Sequence, residues 1–169
     1  RNNNKLIVIG AHLDHIGRGR RSSRAKKTDF GKIHPGADDN ASGIAALLEI
    51  AEYLSDLRQK GLFFTEHDIL FVTWSGEEIG LIGSSYFVKN FTLPHGKTIN
   101  EKVMAYLNMD MIGRFKDKLT LHGVGSSSKW SAFIQKANIS TGINLNLQQD
   151  SHIPTAVSYT HLRAHETFR

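Results

Sequence analysis

The stretch His34-Pro35-Gly36-Ala37-Asp38-Asp39-Asn40-Ala41-Ser42-Gly43 sets two adjacent carboxylates in a short turn. An amphipathic helix follows at once. Ile44, Leu47, Leu48, Ala51 and Leu54 recur at i, i+3, i+4 and i+7, so a helix from about Ser42 to Arg58 buries one face. Asn40 and Ser42 are candidate caps, because their side-chain oxygens can accept from first-turn N–H groups that lack a helical partner. Asp beside Asp at a helix mouth adds little to folding. It adds a great deal to a metal site, so the rest of the chain is read for further ligands.

Upstream, Lys5 to Gly10 (Lys-Leu-Ile-Val-Ile-Gly) is an apolar, β-branched run that reads as a buried strand of a parallel or mixed sheet. Gly10-Ala11-His12-Leu13-Asp14-His15 follows. In an extended segment His12 and Asp14, two apart, point the same way. They would sit at the strand's carboxyl end, where open α/β sheets bind ligands. Gly17 to Ile33 reads as a polar loop.

Downstream, Asp68 to Trp74 is a second buried strand, ending in Ser75-Gly76-Glu77-Glu78-Ile79-Gly80 before a helix over about Gly83 to Asn90. Phe91 to Glu101 is a loop. Val103 to Met109 is a third strand, with Asp110 at its carboxyl end. Leu119 to His122 is a short strand. Ser127 to Ser140 is a helix with Trp130, Phe133, Ile134 and Ala137 on one face. Strands alternating with helices give an α/β fold.

The 169 residues suggest one domain, and 40% hydrophobic content is enough for a core. No apolar run reaches membrane-spanning length. There is no Cys, which excludes disulfides and thiolate ligands. The first residue is Arg1 rather than Met, almost on top of a strand, so the chain reads as a fragment. The net charge of +5 comes from Arg18, Arg20, Arg21, Arg24, Lys26 and Lys27. With no aromatics interleaved, this run reads as a solvated loop rather than a nucleic-acid patch.

Three strand ends thus deliver His12, Asp14, Glu77, Glu78 and Asp110, and the turn adds Asp38 and Asp39. So many carboxylates resist joint ionisation unless a cation is present. A donor set of His nitrogen and carboxylate oxygen suits Zn²⁺, with Mn²⁺ or Co²⁺ as substitutes. Two metals about 3.5–4 Å apart form the clamp used by aminopeptidases.

Gly-Ala-His-x-Asp-His, His-Pro-Gly-Ala-Asp-Asp-Asn-Ala-Ser-Gly, Gly-Glu-Glu-x-Gly-Leu-x-Gly-Ser and Asn-x-Asp-Met-Ile-Gly-Arg occur in that order. Together they resemble the di-zinc aminopeptidases, the bacterial leucyl aminopeptidase and glutamate carboxypeptidase II group of zinc exopeptidases, over about Lys5 to Pro154. The resemblance implies a three-layer sandwich, with a mixed, mostly parallel sheet between helices, incomplete at the C-terminus. It implies two Zn²⁺: His12 and Asp110 on one, Glu78 on the other, and Asp39 bridging both. It implies Glu77 as general base on a water shared by the metals, and Asp14 orienting His12. It also implies a cis peptide at Asp39–Asn40. The substrates implied are peptide or protein N-termini, with no nucleic acid and no membrane span. Secretion or periplasmic export is implied by the resemblance alone.

Near its end the chain departs from the pattern. Ser151 stands where the family has Asp before its His, here His152, and the family's last zinc-binding His has no counterpart. Residues 157–169 resemble translated read-through of a sequencing adapter. The expected division is therefore a partial catalytic domain over 1–156 and a foreign tail over 157–169. His161 or His165 replacing the missing ligand is the disfavoured alternative. The function expected is a zinc aminopeptidase. The alternatives are a carboxypeptidase or glutaminyl cyclase on the same fold, a catalytically inactive binding domain, and a nucleic-acid binder through Arg18–Lys27. His15 and His34 flank the motifs as possible outer contacts. His67, His95 and His122 receive no role.

Overall fold

The structure is a computed structural model describing residues 5–20, 25–91, 99–150 and 160–164, the last five for their backbone alone. Its strands are β1 (Leu6–His12), β2 (Asp68–Trp74), β3 (Val103–Asn108), β4 (Leu119–His122), β5 (Leu145–Leu147) and β6 (Thr160–Ala164). Its α-helices are α1 (Gly43–Gln59), α2 (Ile82–Asn90), the single turn α3 (Ile99–Lys102) and α4 (Trp130–Asn138). One sheet runs β2-β1-β3-β6-β4-β5. Every neighbouring pair is parallel except β3–β6. The expected mixed, mostly parallel sheet is therefore present.

Helices cover both faces. Leu47 of α1 is buried with Ala11 and Met109, and Ile9, Ile44, Ile50 and Phe71 pack around them. Trp130 and Ile134 of α4 pack with Leu107, Leu119, Leu121 and Val124. Ile9 and Leu107 are register partners, so α1 and α4 lie on one face of the sheet. On the other face Phe87 of α2 meets the Trp74 ring edge-on, with centroids 5.3 Å apart. Among the described residues no helix is long and apolar enough to cross a membrane.

Two predicted helix faces shift. The buried stripe of α1 runs through Ile44, Leu47 and Ile50, while Leu48 is 64% exposed. On α4, Trp130 and Ile134 face the sheet, but Phe133 is 60% exposed and Ala137 is exposed too. This helix starts three residues later than predicted, because Ser127 is spent on its entry: its Oγ accepts the Lys129 N–H at 3.3 Å and its carbonyl the Trp130 N–H at 3.2 Å. β5 and β6 have no counterpart in the sequence reading. β6 comes from the stretch read as a foreign tail and lies between β3 and β4.

Register is what positions the site. His12 pairs with Trp74, and Gly10 with Asn108. The carboxyl ends of β1, β2 and β3 therefore reach one edge of the sheet together. The loops that leave them carry His12–His15, Glu77–Glu78 and Asp110.

Candidate metal centre

His12 is the last residue of β1 and only 2% exposed. Its Nδ1 lies 3.0 Å from the main-chain carbonyl of Asp14. A carbonyl only accepts, so Nδ1 carries the proton and Nε2 faces inward. There Nε2 is 3.2 Å from Asp39 Oδ1 and 3.2 Å from Asp110 Oδ1. Burial alone would lower the pKa of His12. Hydrogen bonds to Asp110 and Asp39, with the charges of Asp110 and Glu77, outweigh burial and raise it from 6.5 to about 10. The pocket holds more negative charge than the protein neutralises by itself.

A second group stands beside the first. His15 Nδ1 is 2.8 Å from Glu78 Oε1 and 3.7 Å from Asp39 Oδ2. Burial, then the charge of Asp39, pushes the Glu78 carboxyl above its ordinary range, partly offset by His15. Asp39 thus divides its oxygens, Oδ1 toward His12 and Oδ2 toward His15. The sequence reading gave His15 only as a possible outer contact. Four residues already gathered by motif, Asp39, Glu77, Glu78 and Asp110, fall around it and His12.

The turn that carries Asp39 is irregular for a reason. Over Ala37–Ser42 the chain is kinked, with Asp39 at φ −107° and Asn40 at φ −132°, both outside the helical region. The Asp39–Asn40 peptide is cis, as the resemblance implies. Asn40 is 2% exposed and fully engaged. Its Nδ2 donates to the Met109 carbonyl at 2.9 Å, and its Oδ1 accepts the N–H groups of Gly43 at 3.0 Å and Met111 at 3.2 Å. Asn40 therefore satisfies the first N–H of α1 and clamps α1 to the segment after β3. Ser42 is not a cap. Its Oγ donates to the Asp38 carbonyl at 2.6 Å and accepts the Ile112 N–H at 3.2 Å. Asp38 also works toward that segment. Its Oδ1 accepts the Gly113 N–H at 2.8 Å, and Arg114 Nε is 3.3 Å from its Oδ2. The first Asp of the pair is thus structural, and the second faces the histidines.

Asp14 meets His12 through its main chain and the Glu77–Glu78 turn through its side chain. Its main-chain carbonyl holds the His12 ring, while its carboxylate accepts the N–H of Glu77 at 3.0 Å and of Glu78 at 3.2 Å. The Glu77 carbonyl accepts in turn from Gly80 and Leu81, both at 3.0 Å. The turn can fold back onto β2 because a Cβ on Gly83 would lie 2.6 Å from the Ser75 carbonyl. Ser151, His152 and His165 lie outside the described residues, as does part of the Arg18–Lys27 run.

Two donor groups result: His12, Asp39 and Asp110, and His15, Asp39 and Glu78. Within each, the donor atoms lie within 4.8 Å of one another. Zinc–ligand bonds of about 2.0–2.2 Å in a tetrahedron place ligand atoms about 3.3–3.5 Å apart. The nitrogen–oxygen separations of 3.2, 3.2, 2.8 and 3.7 Å straddle that spacing. The donor chemistry and the spacing both fit a pair of such cations.

Comparison with known proteins gives the family. The profile described as "Peptidase family M28" matches residues 1–163. The chain belongs to this family. The match runs into the stretch set apart above as a tail. An aminopeptidase of Pseudomonas aeruginosa is 38% identical over 112 residues, covering 66% of this chain and 16% of that protein. Leupeptin-inactivating enzyme 1 of Streptomyces exfoliatus is 39% identical over 110 residues, 65% of this chain and 20% of that one. Leucine aminopeptidase 1 of Arthroderma otae is 31% identical over 152 residues, 89% of this chain and 37% of that one. The chain thus spans well under half the length of these M28 relatives.

Proposed function

We propose that this chain carries the catalytic core of a zinc-dependent aminopeptidase, which hydrolyses the first peptide bond of substrates with a free N-terminus. The observation that carries the reading is the division of Asp39 between two histidine–carboxylate groups. A single structural cation would need one such group. A shared carboxylate between two suits a dinuclear site. Membership of family M28 and the aminopeptidase names of its relatives support the same reading.

His12, Asp39 and Asp110 would hold one Zn²⁺, and Asp39 and Glu78 would hold the other. When bound, the pair polarises the scissile carbonyl and acidifies water at the site. The remaining chemistry belongs to the chain. Glu77 is the general base: it accepts a proton from the attacking water and returns it to the leaving amine nitrogen. Asp14 positions Glu77 and Glu78 through their main-chain N–H groups. The proton on His12 Nδ1, held by the Asp14 carbonyl, keeps Nε2 available as a ligand.

The test is Glu77→Gln, with elemental analysis and hydrolysis of leucine p-nitroanilide. The variant should keep its zinc and lose activity by about 10²–10⁴-fold. Wild-type turnover in Glu77→Gln would remove Glu77 from the role of base. Equal cleavage of free and N-acetylated peptides would remove the aminopeptidase reading.

A further inference from the structure

We infer that the Tyr106 hydroxyl is a positioning group for the reaction: it ties the end of β2 to the end of β3, and so sets where Glu77 stands relative to Asp110. The inference rests on Glu77 acting as the base, as proposed above.

The tie is a chain of two hydrogen bonds. Trp74, the last residue of β2, donates its indole Nε1–H to the Tyr106 hydroxyl at 2.7 Å. That hydroxyl donates in turn to Oδ1 of Asn108, the last residue of β3, at 2.7 Å. Burial pushes the Tyr106 hydroxyl above its ordinary pKa; the bond from Trp74 opposes the rise and the charge of Asp110 adds to it. The hydroxyl therefore keeps its proton and stays a donor to Asn108.

The link passes over β1 at Gly10, which pairs with Val72 on one side and Asn108 on the other. A Cβ on Gly10 would lie 2.9 Å from Trp74 Nε1 and 3.0 Å from the Tyr106 hydroxyl oxygen. Glycine inside a strand weakens it and marks a close approach. Here the approaching groups are the two partners of the first hydrogen bond. Side chains packed for their area alone would gain from a further side chain at position 10. The link requires its absence.

The link also supplies a restraint that the strand ladders do not. Ladder bonds fix register along the strands, but the twist between neighbours still ranges over roughly 10–35°. β1 lies between β2 and β3, so two such angles accumulate. A side-chain link across both narrows the range at the carboxyl end of the sheet. Glu77 follows Trp74 by three residues, and Asp110 follows Asn108 by two. Main-chain bonds at the same level carry the restraint into the site loops: Leu13 N–H to the Trp74 carbonyl at 2.7 Å, and Met109 N–H to the Gly10 carbonyl at 2.9 Å.

Interior packing is the competing account. The Trp74 and Tyr106 rings meet edge-on, with centroids 6.4 Å apart, and Phe87 of α2 packs on Trp74 as well. Tyr106→Phe keeps the ring and removes both hydrogen bonds, so it separates the two accounts.

The experiment is steady-state hydrolysis of leucine p-nitroanilide by the zinc-loaded chain. The proteins are wild type, Tyr106→Phe, Trp74→Phe, Glu77→Gln, and the doubles of Tyr106→Phe with each of the other two. A displacement of about 1 Å costs on the order of 10²-fold in rate, so Tyr106→Phe should lower kcat by roughly 10–100-fold with KM within about twofold. Trp74→Phe breaks the same link, so its double with Tyr106→Phe should lose no more than the worse single. Tyr106→Phe should add nothing to Glu77→Gln, because the group it positions is gone. Wild-type kcat in Tyr106→Phe, or losses that multiply in either double, overturn the inference and leave Glu77 as the base. Wild-type turnover in Glu77→Gln removes the base assignment and the inference with it. Hydrogen exchange needs no variant to fold. The Trp74 indole N–H of the wild type should be protected, and exchange as fast as that of free indole overturns the inference.

Discussion

The carboxylate of Asp14 accepts the main-chain N–H of Glu77 at 3.0 Å, across 63 residues of sequence. Its other oxygen takes the N–H of Glu78 at 3.2 Å. One side chain from the end of β1 therefore fixes the turn that presents two glutamates.

Asp14→Ala leaves two partly buried N–H groups without their acceptor. Hydrogen bonds to a charged group contribute about 1.5–3 kcal/mol, so a clear drop in thermal midpoint is expected. A turn released by about 1 Å costs on the order of 10²-fold in rate. Asp14→Asn keeps one acceptor oxygen and should fall between wild type and Asp14→Ala. Kinetics and thermal unfolding on the three proteins decide it. Unchanged rate and midpoint in Asp14→Ala would show that the turn holds its shape alone.

Asp39 is shared, and Asp110 and Glu78 are not. Asp39→Asn should weaken both zinc positions by more than about 100-fold, beyond the effect of losing an outer contact. Asp110→Asn should empty only the position that uses His12, and Glu78→Gln only the other. Zinc stoichiometry by elemental analysis after dialysis reads all three. Equal loss from all three variants would mean that the two positions fill as one cooperative unit.

The ends of β1, β2 and β3 were legible because each is an apolar run that stops at a carboxylate or histidine, and parallel register then brings those stops together. Asp39 over Asp38 came from the family pattern, and the geometry behind it is that Asp38 is consumed by Gly113 and Ser42. His15 was legible only as a possible outer contact, and its place beside Glu78 was not. Strand alternation pairs His12 with Asp14 and sends position 15 to the opposite side. The chain leaves the strand at His12, so the alternation rule no longer applies at His15. β5 escaped notice because Leu-Asn-Leu is too short to show a period. Ser42 was misread as a cap because its hydroxyl is claimed by Asp38 and Ile112, residues that only the tertiary fold brings near.

The raised pKa of His12 predicts how the chelator-treated protein responds to pH. Its folded-state value of about 10 lies above the 6.5 of an unperturbed histidine. The folded state thus binds this proton more tightly than the unfolded chain. The resulting stability is fully present below pH 6.5, shrinks above it and is gone once pH passes about 10. On the proposed zinc reading the metal replaces the proton, so the zinc-loaded protein should not lose stability over that window. Denaturant midpoints from pH 6 to 10, with EDTA and with zinc, test the contrast. Parallel curves would mean that His12 does not hold its proton between Asp39 and Asp110.

Gly43 opens α1 with ordinary helical angles, φ −66° and ψ −39°. By intrinsic propensity Gly43→Ala should stabilise the helix by up to about 1 kcal/mol. The surroundings reverse that sign. A Cβ at this position would meet the Asn40 side-chain amide and lie 2.5 Å from the Met109 carbonyl. Neither group can yield cheaply, because Asn40 is buried and its three hydrogen bonds tie α1 to the segment carrying Asp110. Overpacking a fixed interior costs about 1–3 kcal/mol, which exceeds the propensity gain at a helix terminus. Gly43→Ala should therefore be less stable than wild type by about 1–2 kcal/mol. Zinc affinity at the position using His12 and Asp110 should weaken with it, because Asp110 moves with Met109 and Met111. Urea denaturation gives the first quantity and zinc titration the second. A Gly43→Ala protein that is more stable than wild type would show that Asn40 can leave its clamp, and that Asp110 is positioned by β3 alone.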